Sequence, residues 1–126
     1  MKHDVSVPVS RVPQLIEEGN LALESAFPGI RVVAFGHVGD GNLHYNAFPP
    51  PGDECDFVAW SPRVNRVVYG LVHRLGGSIS AEHGIGALKR DELPHYKDAL
   101  ELELMRAVKN ALDPRGIMNP GKVLQP

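Results

Sequence analysis

A chain of 126 residues with net charge −2 and 43% hydrophobic residues has room for one folded domain, and it lacks the basic field that nucleic acid requires. No apolar run approaches the roughly 20 residues of a membrane-spanning helix, and the charged, proline-broken start at Met1-Lys2-His3-Asp4 does not read as a secretion signal. The lone cysteine, Cys55, cannot close an internal disulfide and sits beside Asp53, Glu54 and Asp56, whose charge raises a thiol pKa; an inert thiol and a cytoplasmic chain are expected.

In chain order, Val5-Ser6-Val7 alternates as a short strand does. A helix follows, with Ser10 as its expected cap. Its one-sided stripe is Val12, Leu15, Ile16, Gly19, Ala22, Leu23, Ala26 and Phe27, and Pro28-Gly29 stops it. Residues 31–48 read as two strands around the turn Gly39-Asp40-Gly41-Asn42, and Pro49-Pro50-Pro51-Gly52 ends the second. Ser61-Pro62 reads as the cap and first position of a second helix, with Val64, Val67, Val68, Leu71, Val72 and Leu75 inward and Gly76-Gly77 closing it. Residues 78–82 read as a short strand and Gly84-Ile85-Gly86 as a turn. A last helix is expected over about 98–112, with Leu100, Leu104, Met105, Val108, Ala111 and Leu112 on its inner face. The order implies an α+β fold, a mainly antiparallel sheet with helices packed on one face.

The hairpin carries the chemistry. With the turn at residues 39–42, His37 stands opposite His44 and Val38 opposite Leu43. Opposed residues have Cβ atoms roughly 4.5–5.5 Å apart, close enough for two imidazoles to converge on one cation. Asn46 shares their face, while Val38, Leu43, Tyr45 and Ala47 form the packing face. A satisfied histidine pair on a partly wet sheet explains the same spacing. Glu82, beside His83 and before the two glycines, is the candidate third ligand; an exposed polar edge is its plainer explanation. Two histidines and a carboxylate suit Zn²⁺, Fe²⁺ or Mn²⁺. His73 fits the C-terminal end of its helix, and His3 and His95 are expected at the surface. Lys89, Arg90, Asp91 and Glu92 read as a solvated turn, with Lys89 able to reach an anion. On residues alone, a metal-binding or metallohydrolase domain and a non-catalytic, self-associating module stay open.

Three segments then resemble the signatures of FAD-linked oxidases of the vanillyl-alcohol-oxidase superfamily, in that family's order. They are Gly36-His37-Val38-Gly39-Asp40-Gly41-Asn42-Leu43-His44, Ser80-Ala81-Glu82-His83-Gly84-Ile85-Gly86, and Asp113-Pro114-Arg115-Gly116-Ile117-Met118-Asn119-Pro120-Gly121-Lys122. The stretch from Lys2 to Pro8 resembles the strand that opens the same region. Within the group the pattern is similar to D-2-hydroxyglutarate dehydrogenase, D-lactate dehydrogenase and the glycolate oxidase flavoprotein subunit. The resemblance implies that residues 1–126 are a C-terminal, ferredoxin-like cap-domain fragment that meets a small D-2-hydroxy acid. It implies His37, His44 and Glu82 as metal ligands, His83 as general base, Asn46 and Lys2 as substrate contacts, and Asn119 on the flavin side. The FAD-binding domain is not in this sequence, so the chain alone is expected to be inactive. It is expected to work with a separate FAD-binding polypeptide or to self-associate, a homodimer being the first expectation.

Overall fold

The computed structural model describes residues 1–52 and 57–125. Strand β1 spans Lys2–Ser6, three residues earlier than Val5 alone indicates, because all five residues pair with β3. Cys55 lies outside the described residues. Helix α1 covers Val12–Ala26 and buries Val12, Leu15, Gly19 and Leu23, with Phe27 just beyond its end; Ala22 and Ala26 are exposed. Ser10 is not its cap. It lies in a 3-10 turn, Val9–Arg11, and Arg11 is the N-cap of α1 with no side-chain cap bond; Pro13 fixes the first turn and needs no amide partner.

Strands β2 (Arg31–His37) and β3 (Asn42–Phe48) form the hairpin, and the three-stranded antiparallel sheet has the order β1-β3-β2. The hairpin register differs from the expected one. A 3-10 turn takes up Val38–Asp40, and Gly41 closes it in the left-handed region at φ 70°. A Cβ on Gly41 would lie 1.9 Å from the Val7 carbonyl oxygen, so only glycine fits there. His37 therefore pairs with Asn42 and Phe35 with His44, while Val38 sits exposed in the turn.

Helix α2, Phe57–Arg74, begins before Ser61 and carries Pro62 inside it rather than at its first position. The proline has no amide to donate, so the helix ladder lacks one bond at that position. Val64, Val68, Leu71, Val72 and Leu75 are buried as the stripe predicts. Both helices pack on the sheet face made by His3, Val5, Leu43, Tyr45 and Ala47. His3 is thus a core residue, not a surface one. Its Nδ1 meets the Tyr45 carbonyl at 3.0 Å, its Nε2 lies 2.9 Å from Asn65 Oδ1, and its ring stands edge-on to Tyr69. Those partners make its burial affordable in a sheet interior.

Residues 78–82 do not form a strand. Only Ser78 pairs, across an isolated bridge to Ser6. The chain divides into two units, Met1–Glu82 and His83–Pro126. In the second, Gly84 and Gly86 take positive φ as a turn there requires, and helix α3 spans Ala99–Leu112 behind a capping box of Asp98 and Glu101. Arg90 pairs with Asp91 and donates to the Gly121 carbonyl, so the charged turn is an anchor for the C-terminal segment. The expected inner face of α3 is not buried: Leu102 is its covered residue, while Leu100, Leu104, Val108 and Leu112 are exposed. Among the described residues no helix is long and apolar enough to cross a membrane.

Candidate functional site

Strand alternation places Lys2, Asp4 and Ser6 of β1 on the sheet face opposite the core. The register then fixes their neighbours: Lys2 stands directly beside Asn46, Asp4 beside His44 and Ser6 beside Asn42. From the other side, β2 adds Val33, Phe35 and His37 to the same face. The two expected substrate contacts, Lys2 and Asn46, are therefore a direct cross-strand pair, with His44 next along β3. His37 and His44 share this face but are diagonal, because His37 is opposite Asn42; diagonal neighbours lie roughly 7–8 Å apart. Phe35, directly opposite His44, packs against its ring with centroids 5.1 Å apart.

Glu82 comes to this face without being in a strand. Its Oε1 lies 4.0 Å from His44 Nε2 and accepts a hydrogen bond from the Asn42 side-chain amide. His44 is about one-fifth exposed and Glu82 43% exposed, so both are reachable by a small ligand while held from behind. His37 is more open, 69% exposed, and its Nδ1 lies 3.9 Å from the Asp40 carboxylate. His83 is exposed and opens the second unit directly after Glu82 in the chain. Asn119 is also exposed, in a left-handed conformation at φ 46°.

Two residues of this face were missed in the sequence. Asp4 is buried and accepts from Ser80 Oγ, the Ala81 amide and the Glu82 amide. Asn42 is buried, and its Oδ1 has no hydrogen-bond partner. Continuing the period-two reading back through Lys2-His3-Asp4 would have put Asp4 on this face. Nothing in the sequence marks Asn42 as a strand residue, because asparagine in Gly-Asn reads as turn.

The donor types present fit a divalent first-row cation. Imidazole and carboxylate suit Zn²⁺, Mn²⁺ and Fe²⁺, and the unmatched, buried Asn42 Oδ1 is a further oxygen on the side chain that holds Glu82.

Residues 1–123 match the family described as FAD linked oxidases, C-terminal domain. Over 123 residues the chain is 45% identical to a D-2-hydroxyglutarate dehydrogenase of Stutzerimonas stutzeri, covering 97% of this chain and 26% of that protein. It is 44% identical to the D-2-hydroxyglutarate dehydrogenase of Xanthomonas citri pv. viticola (98% and 26% covered) and 41% identical to a probable mitochondrial D-lactate dehydrogenase of Danio rerio (97% and 24%). The chain spans about a quarter of the length of these relatives.

Proposed function

The chain belongs to the C-terminal domain family of FAD-linked oxidases, and from that premise we propose that it is the substrate-side segment of a flavin-dependent dehydrogenase acting on a small D-2-hydroxy acid. The observation that carries this reading is the polar face on which Lys2 pairs with Asn46, His44 follows on the same strand, and Glu82 is held beside His44.

The proposed roles follow from group chemistry. The Lys2 ammonium meets the substrate carboxylate, and Asn46 offers an amide to its oxygens. His44, His37 and Glu82 hold a divalent cation, with Zn²⁺, Mn²⁺ and Fe²⁺ all compatible. When bound, that cation supplies positive charge that orients the hydroxy acid and favours loss of its hydroxyl proton. His83 takes that proton, the kind of transfer for which a base of near-neutral pKa is suited. FAD would be held mainly by the flavin-binding part of such a protein, with Asn119 as this chain's contact to it, and would supply the two-electron acceptor for hydride from the α-carbon. The flavin domain's supply from a separate polypeptide, and pairing of two copies through the β2 edge, belong to the same proposal. Val33 and Phe35 are exposed on β2, and open edges template pairing.

The test uses the assembled flavoenzyme that contains this chain. D-2-hydroxyglutarate, D-lactate or glycolate should bleach its flavin absorbance and reduce a dye, while the chain alone should be colourless and inert. No bleaching by any of the three rejects the reading. His83→Ala should lower turnover by roughly 10²–10⁴, and near-normal turnover removes His83 from the mechanism.

A further inference from the structure

We propose that Asp4 is a positioning residue that sets Glu82 against His44, with Asn42 completing the hold from the other side. The proposal rests on the ligand reading of His44 and Glu82 given above and adds the device that aims the carboxylate.

The argument starts from a strand that does not form. Ser78 pairs with Ser6 by two backbone bonds, Ser6 N–H to Ser78 O at 3.0 Å and Ser78 N–H to Ser6 O at 2.8 Å. Continued pairing along β1 would carry residues 79–82 away as a fourth strand, with alternate side chains on opposite faces. Instead the Asp4 carboxylate takes the place of the ladder. Its Oδ2 accepts Ser80 Oγ at 3.1 Å, the Ala81 amide at 3.0 Å and the Glu82 amide at 3.1 Å, and Oδ1 also accepts from the Glu82 amide at 3.2 Å. Asp4 is only 2% exposed, and a buried carboxylate is tolerable only when donors surround it. Consecutive amides aimed at one carboxylate turn the chain, so the Glu82 backbone is fixed over the face rather than beside it.

Position follows from register. Asp4 stands directly opposite His44, so whatever Asp4 anchors is brought to His44. The Glu82 carboxylate lies 4.0 Å from His44 Nε2, and the Asn42 amide restrains the same oxygen. Asp4 thus holds the backbone of Glu82 and Asn42 its side chain. Groups that orient a ligand in this way are typically worth 10–100-fold in metal affinity.

The experiment is Zn²⁺ and Co²⁺ titration of the full chain, wild type and variants, with melting of the metal-free protein measured beside it. Asp4→Ala should weaken Zn²⁺ binding by about 10–100-fold, and its Co²⁺ spectrum should shift to that of Glu82→Gln. In the Glu82→Gln background, Asp4→Ala should add little, since a residue acting through Glu82 has nothing left to act on. Ser80→Ala, which leaves both amide bonds in place, should bind as the wild type does. Should Asp4→Ala fail to fold, Asp4→Asn keeps the size and one acceptor and is read the same way. Asp4 variants that keep wild-type affinity while Glu82→Gln loses it overturn the proposal. So does an Asp4 effect that persists undiminished without the Glu82 carboxylate. A wild-type chain that takes up neither ion overturns the ligand reading itself, and the positioning role falls with it.

Discussion

Met1–Glu82 and His83–Pro126 treat their apolar residues in opposite ways. In the first unit, two amphipathic helices close over one face of the sheet, and Leu15, Leu23, Leu43, Tyr45, Val64 and Val72 are almost wholly covered. In the second, α3 carries an equally regular stripe, yet Leu104, Val108 and Leu112 are exposed. With Met105, Met118, Val123 and Leu124 they line a groove of about 710 Å³. The second unit is ordered instead by polar ties: the Asp98 cap, the Arg90 bond to Gly121, and Asp113 gathering the segment after α3. A periodic stripe therefore announces a helix and a face to be covered, and says nothing of what covers it.

The largest effect that can break this contrast comes from truncating matched leucines. Leu23→Ala in the first unit should cost about 2–5 kcal/mol, while Leu104→Ala should stay within about 0.5 kcal/mol. Urea unfolding of the isolated chain measures both. Equal losses would show that α3 is covered in solution, and light scattering over a dilution series would then reveal self-association.

A glycine pair sharpens it further. A Cβ at Gly19 in α1 would lie 2.6 Å from the Tyr45 hydroxyl, which donates to Asn20 at 2.7 Å. Gly19→Ala should therefore cost about 1–3 kcal/mol, although alanine is the better helix former. At Gly70 in α2 an added Cβ meets nothing within 4 Å, and Gly70→Ala should stabilise by about 0.4–1 kcal/mol. Thermal melts that move both variants in one direction would mean that α1 does not pack on Tyr45 this tightly.

Legibility in the sequence follows the same divide. The stripes of α1 and α2, the hairpin and the α+β class all come from periodicity and turn residues, and the structure has them. The hairpin register did not, because it depends on whether Asp40-Gly41-Asn42 spends its asparagine in the turn or in the strand. Only the approach of Val7 to Gly41 decides that. His3 could not be read as core, since its burial depends on Asn65, 62 residues away. Residues 78–82 have a strand's pattern, and a single buried carboxylate from β1 outbids the ladder for their amides. Of the candidate site, His44, Asn46 and Glu82 come from the hairpin face and the glycine turn as well as from resemblance, and Lys2 from resemblance alone. Asp4 and Asn42 lie inside the same resembling segments, but a carboxylate among strand residues and an asparagine after glycine gave no sign that they hold Glu82.

The smallest effect concerns the polar ties of the second unit, and it is read by pH. Asp113 accepts a charged hydrogen bond from Lys109 and amide bonds from Met118 at 2.9 Å and Ile117 at 3.0 Å. These partners, Lys109 first, hold its carboxyl below the usual carboxylate range. A carboxyl whose native pKa is depressed stabilises its fold fully above the unfolded value of about 3.9 and loses that contribution as pH falls through the lower native value. The segment after α3, which includes Asn119, should therefore loosen under acid before the sheet does. Amide protection at Ile117 and Met118, taken relative to the intrinsic exchange rate at each pH below 5, should fall while Leu43 and Tyr45 stay protected, and Asp113→Asn should remove the acid step. Core and tail amides that open together would show that the two units share one cooperative transition, and the contrast between them would then describe packing but not stability.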